Sequence, residues 1–405
     1  MQPSRTTVLL VSVAVMTITS IAMIAFSLFL RPMETEFGWS RAVATVPYTV
    51  SMIGWAVGAV FFGKLADDFG TRGVILAGIV LMSAGFLGMA LSENLWQLSL
   101  SYGVMVGLAM GACGLAIVSL LVSKHFEAED RGLAVSMIQT ATPLSALMFP
   151  PVFLFLMNTY DWRVAALAGS ALLAFVALPL AWLGARDPKP TGSHKDARVS
   201  WGACLPYLRN RSMIFLFAAR FSCGVAFFQI AHLVVLTMSK GFDAAAGATA
   251  VSVFGAAAIA SALVFGWLSD RYERAKMLAL SYFVRGIGTL FLALNFPNEL
   301  FFYAAVAVAI GPTFGTVAIQ NVMFYEMVGP RMAGVVLGLS FIVHQIGSAS
   351  GPMIASIAFD RTGSYDVFMV AMAVVLVVSG LLVYSITGPD ARLRGRLLAA
   401  CPSAP

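Results

Sequence analysis

The sequence has few charged residues and lacks the patterns by which soluble enzymes hold a metal or a nucleotide. Only 11% of its 405 residues are Asp, Glu, Lys or Arg, whereas about a quarter are charged in a typical soluble chain. The four cysteines have neither metal-ligand nor disulfide spacing. No glycine-rich nucleotide-binding loop occurs, which excludes ATP hydrolysis as a source of energy. We therefore expect no metal, no cofactor and no catalytic site.

Long apolar runs are what the sequence has instead. Hydrophobic residues make up 60% of the chain, and the mean hydropathy is +0.88. Runs of about 18 or more such residues are long enough to cross roughly 30 Å of hydrocarbon as a helix. They predict an all-α membrane protein with twelve transmembrane helices, called spans one to twelve below. The predicted spans cover residues 8–30, 42–66, 73–92, 95–123, 132–157, 163–184, 212–238, 244–268, 276–296, 299–327, 332–358 and 364–386.

The stretch 185–210 is rich in charge and proline and separates six spans from six. It predicts two pseudo-symmetric six-helix bundles joined by a solvated linker. The predicted parts are an N-terminal bundle at 1–184, a cytoplasmic linker at 185–210, a C-terminal bundle at 211–386 and a basic cytoplasmic tail at 387–405.

Basic residues are distributed unequally between the two faces that these spans define. Of the 25 Lys and Arg residues, 18 fall on one face and five on the other. Because basic loops stay on the cytoplasmic side, both termini and the linker are predicted to be cytoplasmic, in a bacterial inner membrane. We call the two faces inner and outer on this basis. The asymmetry also accounts for the net charge of +6, so no nucleic-acid partner is expected.

A charged turn marked by glycine occurs at the same place in each half. Gly63 and Asp67, between spans two and three, recur 203 residues later as Gly266 and Asp270. Such a turn lies at a membrane face, because the bilayer core cannot hydrate it. Duplicated bundles of this kind are typical of transporters with a binding site near the bilayer midplane. We expect the charged residues of the two turns to form a latch that closes the inner face: Asp67, Arg72, Asp270 and Arg271.

The first of these turns resembles the signature loop of the major facilitator superfamily. Phe37-Gly38-Trp39-Ser40-Arg41, Tyr160-Asp161-Trp162-Arg163 and the run from Phe359 to Tyr365 are similar to its bacterial branch related to monocarboxylate transporters and oxalate–formate antiporters. The resemblance implies the major facilitator fold and alternating access. It also implies an arginine in span eight, four residues before the glycine of the loop. This chain has Ala262 there, so the substrates of that branch cannot simply be transferred.

Two arginines, Arg220 and Arg285, fall inside predicted spans and not at their ends. Ionisable groups inside a bilayer are costly, and each is a functional candidate. A guanidinium stays charged and binds carboxylate or phosphate through its planar fork. Span seven lines the cavity in the resembled fold, so we predict that Arg220 binds an anionic substrate. Arg285, in the more peripheral span nine, either binds substrate or has a structural partner, and snorkelling is the alternative for both.

Two histidines, His232 and His344, stand near the middle of spans seven and eleven. An imidazole can hydrogen-bond a substrate or carry a proton, and a helix–helix contact is the alternative role. Glu326 is a third candidate for proton coupling, with a solvated or loop-paired carboxylate as its alternative. Polar residues on otherwise apolar helices complete the predicted binding set, with interhelical hydrogen bonding as their alternative: Gln320, Asn321, Gln139 and Tyr48.

These features predict a secondary transporter, not an enzyme. Its expected cargo is a small organic anion, with a carboxylate as the first choice, moved by proton coupling or by anion exchange. We expect a monomer in the lipid bilayer. The rival interpretations are a transporter-like receptor that senses its ligand, a transporter of a neutral or amphipathic molecule, and a membrane-embedded enzyme. The enzyme would require clustered His, Asp or Glu near one face, and the sequence has no such cluster.

Overall fold

The computed structural model describes residues 4–187 and 209–386. Within these two ranges the chain is helical and contains no strand. Twelve helices are long and apolar enough to cross a membrane, which confirms the predicted all-α architecture and the number of spans. In order they are Arg5–Phe37, Arg41–Phe69, Thr71–Ala90, Leu95–Ser123, Asp130–Thr159, Trp162–Gly184, Arg211–Ala231, Ala244–Arg271, Arg274–Leu292, Glu299–Gly329, Met332–Thr362 and Asp366–Tyr384.

Glycines and hydroxyl side chains set the boundaries of the first spans. Gly38 ends span one with a φ of 65°, and Gly70 separates spans two and three with a φ of 89°. A side chain is strained in this left-handed region, so glycine is favoured at both turns. Ser40 begins span two, because its hydroxyl accepts the backbone N–H of Val43 at 3.4 Å.

Span seven is broken where the sequence predicts one continuous helix over 212–238. Its helical parts are Arg211–Val225, Phe228–Ala231 and Leu233–Ser239. His232 lies at the second break, with φ −110° and ψ 12°. Backbone groups released by a break must be satisfied inside the protein, and the N–H of Val234 donates to Ser27 Oγ at 3.2 Å. The predicted span over 212–238 is therefore interrupted in the structure, and a hydroxyl on span one partners one of its backbone groups.

Contacts divide the described chain into two compact units. The first unit comprises the described residues up to 187 together with Phe227–Ala256 and Ala349–Tyr365, and the second comprises the other described residues. The outer parts of spans seven, eight and eleven therefore group with the first six spans. The predicted bundles 1–184 and 211–386 divide the sequence differently, and that division stays a prediction. Most of the predicted linker 185–210 and all of the tail 387–405 lie outside the described residues.

Candidate functional site

Five side chains from spans seven, nine and ten form a buried polar cluster in the second unit. Arg220 and Cys223 lie three residues apart on span seven, and Tyr282 and Arg285 lie three apart on span nine, so each pair shares a helix face. Each of the five is at most 4% exposed. We call them the guanidinium cluster: Arg220, Cys223, Tyr282, Arg285 and Gln320.

Hydrogen bonds connect most of the guanidinium cluster. Arg220 Nη1 donates to Gln320 Oε1 at 3.3 Å, and Gln320 Nε2 donates to the Tyr282 hydroxyl at 3.0 Å. Tyr282 donates in turn to a backbone carbonyl of span seven. Arg285 Nη1 donates to Cys223 Sγ at 3.2 Å. Gln320, predicted from a polar stripe, therefore fixes one end of the Arg220 guanidinium.

The positive charge of this cluster has no carboxylate counterion among the described residues. Neither guanidinium forms an ion pair with a carboxylate of the described chain. Arg220 Nε and Arg285 Nε and Nη2 are buried and have no hydrogen-bond partner there. A buried charge without a partner costs several kcal/mol, and native structures leave few buried donors unsatisfied. The arrangement is chemically suited to receive an anion.

His344, on span eleven, lies beside this cluster. Its backbone packs so closely against span seven that a Cβ at Gly224 would collide with the His344 carbonyl. His344 Nδ1 shares a hydrogen bond of 3.0 Å with Gln345 Oε1. Asn321 is half-buried on span ten. The second unit thus contains these members of the predicted binding set: Arg220, Arg285, His344, Gln320 and Asn321.

Three predicted residues have other surroundings. Tyr48, in the first unit, is 1% exposed and packs against the Phe26 ring with centroids 4.8 Å apart. Gln139, also in the first unit, is half-buried at the end of the helix Ala128–Gln139. Glu326 is 47% exposed and accepts a hydrogen bond of 2.5 Å from Arg274. This geometry fits the alternative of a loop-paired carboxylate for Glu326, and the functional roles of all three stay predictions.

A second polar cluster, in the first unit, centres on Arg41 at the start of span two. Arg41 Nε and Nη2 donate to the two carboxylate oxygens of Glu34 at 2.6 and 3.0 Å, and Nη1 donates to the Tyr365 hydroxyl at 3.0 Å. His232 Nδ1 lies 3.1 Å from that hydroxyl, and its Nε2 lies 3.3 Å from Thr45 Oγ1. Both ring nitrogens of His232 are thus engaged here. We call this group the outer cluster: Glu34, Arg41, His232, Asp360 and Tyr365.

Asp360 joins span eleven to span two within the outer cluster. Its carboxylate oxygens accept the backbone N–H groups of Arg41 and Ala42 at 3.0 and 2.9 Å. These are the first two positions of span two, where free N–H groups and the helix dipole favour an anion. One turn further, Thr45 Oγ1 lies 2.8 Å from Ser356 Oγ. The outer ends of the two spans are thereby held together.

Sequence reasoning missed this contact. Arg41 and Asp360 belong to the motifs that indicated a family, but neither motif shows that the two helix ends meet. Glu34 was missed because span one was predicted to end at residue 30, whereas the helix continues to Phe37. The sequence did contain one signal for this contact, namely the opposite charges of Arg41 and Asp360 at the outer ends of spans two and eleven. The predicted role of His232 in substrate binding or proton coupling stays a prediction.

The charged inner turns are open to solvent. Asp67 and Asp270 are exposed, and neither has a hydrogen-bond or ion-pair partner among the described residues of its own unit. The Arg271 guanidinium stacks 4.0 Å from the Trp267 ring centroid. Arg72 Nη2 donates at 2.8 Å to a carbonyl at the inner end of span six. The role of these residues in a latch stays a prediction.

Asp187, directly after span six, binds the inner ends of two other spans. Its carboxylate accepts from Thr71 Oγ1 at 2.6 Å, the backbone N–H of Arg72 at 2.9 Å and Lys124 Nζ at 2.9 Å. Partial burial alone would raise the pKa of Asp187, but these donors together outweigh burial and lower the pKa from 3.8 to about 2. The sequence placed this residue in a solvated linker, so its anchoring contacts were not predicted.

Comparison with known proteins gives matches over most of the chain. The family model described as Major Facilitator Superfamily matches residues 10–352 and 233–399. The "Uncharacterized MFS-type transporter YcxA" of Bacillus subtilis (strain 168) is 26% identical over 362 residues, which cover 87% of this chain and 88% of the relative. "Monocarboxylate transporter 13" of Rattus norvegicus is 28% identical over 369 residues, which cover 88% of this chain and 82% of the relative.

A solved structure shares the arrangement of the helices. It is described as a bacterial homolog of the human lysosomal transporter Spinster, in an inward-facing and occupied conformation. The TM-score is 0.71, with all of both chains covered and 16% sequence identity. At this identity the likeness concerns the fold alone.

Proposed function

Since the chain belongs to the major facilitator superfamily, as its motifs indicated, we propose that it is a secondary transporter of a small organic anion, with carboxylates as the first candidates. The observation that carries this proposal is the guanidinium cluster, whose two buried positive charges have no carboxylate partner among the described residues. An anion moving through low-dielectric protein needs such a compensating charge. The monocarboxylate transporter among the relatives supports a carboxylate as the cargo.

Arg220 is the proposed primary contact for the anion. Gln320 fixes its Nη1, which leaves the rest of the planar fork to bind a carboxylate. Span eight has Ala262 where the resemblance to the monocarboxylate-transporter branch implies an arginine, so in this proposal spans seven and nine supply the positive charge instead. Two polar side chains of the same unit, His344 and Asn321, complete the proposed binding set.

Alternating access requires a closure at each face of the membrane. We assign the outer closure to the outer cluster and the inner latch to the charged turns with Asp67, Arg72, Asp270 and Arg271. The outer cluster is extensively hydrogen-bonded in this conformation, while Asp67 and Asp270 are exposed. The contrast between a hydrogen-bonded outer cluster and exposed carboxylates in the inner turns supports an outer closure and an inner latch that form alternately.

The proposed energy source is a proton gradient or the exchange of one anion for another. His344, His232 and Glu326 are the proposed proton carriers. The transporter is proposed to work as a monomer in a bacterial inner membrane, with both termini in the cytoplasm.

Ligand-induced stabilisation of the purified protein tests the role of Arg220. Mono-, di- and aromatic carboxylates should raise the melting temperature of the wild type. Arg220→Gln should lose this effect, with at least about tenfold weaker binding, or about 1.4 kcal/mol. Arg220→Lys should recover only part of it, because an ammonium cannot reproduce a bidentate fork.

The matched control is Arg211→Gln, on the exposed surface of the same span. It removes the same charge and should respond to carboxylates as the wild type does. If Arg220→Gln were stabilised as strongly as the wild type, Arg220 would not be the anion contact, and a neutral substrate or a different site would have to be considered.

A further inference from the structure

The edge of the Arg285 guanidinium formed by Nε and Nη2 is buried in the protein interior. The same edge of Arg41 binds a carboxylate. Arg285 Nε and Nη2 are buried without a hydrogen-bond partner among the described residues, while Cys223 Sγ accepts from Nη1. At Arg41, the corresponding Nε and Nη2 bind both oxygens of Glu34 at 2.6 and 3.0 Å. The Arg285 side chain is 0% exposed. An acceptor for this edge must therefore lie inside the fold.

No described acidic residue of the second unit is placed to be that acceptor. The described parts of this unit, 209–226, 257–348 and 366–386, carry acidic residues only at or near the ends of spans. The complete set is Asp270, Glu273, Glu299, Glu326 and Asp366. The interior of the unit thus combines two guanidinium groups with no described carboxylate.

The two guanidinium groups belong to one cluster and not to two separate sites. Cys223 accepts a hydrogen bond from Arg285 and lies three residues after Arg220 on the same helix face. From the other side, Tyr282 lies three residues before Arg285 and is linked to Arg220 through Gln320. An anion at this cluster therefore interacts with both charges.

We propose that Arg220 and Arg285 form a two-point site for a dianion, with dicarboxylates as the substrate class. This inference rests on the proposed function and specifies it. A monocarboxylate would compensate one of the two buried charges and leave the other uncompensated in low-dielectric protein. A dicarboxylate compensates both, and each of its carboxylates receives a guanidinium fork. Arg285 is then the residue that distinguishes dianions from monoanions.

The rival explanation is that Cys223 balances Arg285 as a thiolate. A monocarboxylate at Arg220 would then complete the charge balance, and the wild type would not prefer dianions. The Cys223→Ser variant separates the two cases, because serine cannot supply the negative charge. The two-point site predicts that the preference for dianions is already present in the wild type and persists in Cys223→Ser. The thiolate explanation predicts that it arises only in the variant.

The experiment compares carboxylates that share a carbon skeleton and differ in one carboxylate group. Succinate is compared with butyrate, and isophthalate with benzoate, at neutral pH and constant ionic strength, where all are ionised. Affinities come from thermal-shift titration of the full-length protein in detergent. The wild type should bind the better dicarboxylate at least about tenfold more tightly than its monocarboxylate counterpart. Arg285→Gln should remove this difference and leave the monocarboxylate affinity nearly unchanged.

Arg285→Lys gives a second test if the glutamine variant does not fold. It keeps the charge but not the fork, so the preference for the dicarboxylate should be intermediate. Equal affinities within both pairs in the wild type, or an undiminished preference in Arg285→Gln, would overturn the two-point site. Carboxylate binding through Arg220 would still stand in those cases. If no carboxylate of either pair bound to the wild type, the proposed function itself would fail.

Discussion

At the residue scale, Asp187 shows how one carboxylate fixes the inner ends of several helices. Its folded pKa of about 2 lies below the usual 3.8, so the ionised form stabilises the fold. This stabilisation is complete above about pH 4 and is lost as the pH falls towards about 2. Because Asp187 is partly exposed, screening reduces its contribution to about 1 kcal/mol at neutral pH.

Asp187→Asn should therefore lower the melting temperature at neutral pH, and the difference from the wild type should shrink below about pH 4. Thermal unfolding in detergent across this pH range measures both effects. Asp68→Asn, an exposed carboxylate of the neighbouring turn, is the control and should leave the melting temperature unchanged. A deficit of equal size at acidic and neutral pH would show that the charge of Asp187 is not the cause.

At the scale of the helices, the outer cluster joins the start of span two to the end of span eleven through one carboxylate. In Asp360→Asn the two N–H groups at the start of span two lose their charged acceptor, and the contact should weaken by about 1 kcal/mol. We expect the outer closure to open more often. A cysteine introduced at Ser356, in a background without other cysteines, should then react several-fold faster with a membrane-impermeant reagent.

Arg361→Gln provides the matched control, since this exposed neighbour makes none of the contacts of Asp360. It should leave the labelling rate at the wild-type level. An unchanged rate in Asp360→Asn would separate this carboxylate from the outer closure.

The number and order of the spans could be predicted because hydrocarbon demands long apolar helices, and any charge inside them is conspicuous. Arg220 and Arg285 were found in this way. Cys223 and Tyr282 were not, because a thiol and a phenol do not stand out in an apolar helix. The contact of Arg41 with Asp360 was also missed, since residues 319 positions apart meet only once the helix ends are placed in space.

At the scale of the whole molecule, alternating access requires that inner and outer closures exchange. Asp67 is exposed and lacks a partner among the described residues of its unit, so its contribution should arise in the conformation in which the inner latch forms. Asp67→Asn should slow turnover severalfold while leaving carboxylate affinity nearly unchanged, because the residue does not contact the ligand and both conformations of the proposed cycle bind the anion with similar affinity. Transport rate and thermal-shift affinity, measured on the same preparation, test this separation.

The exposed neighbour Asp68, changed to Asn in the same way, should behave as the wild type does in transport. Normal turnover in Asp67→Asn, with normal accessibility from both sides, would remove Asp67 from the latch.

The central claim is that this protein moves an organic anion across the membrane and that the buried charge of Arg220 is required for this transport. Counterflow in proteoliposomes tests it most directly. Vesicles loaded with an unlabelled carboxylate should accumulate the labelled anion transiently with the wild type and with Arg211→Gln. With correctly inserted Arg220→Gln they should accumulate no more than vesicles without protein. Counterflow by Arg220→Gln at the wild-type rate would contradict this role of the guanidinium cluster.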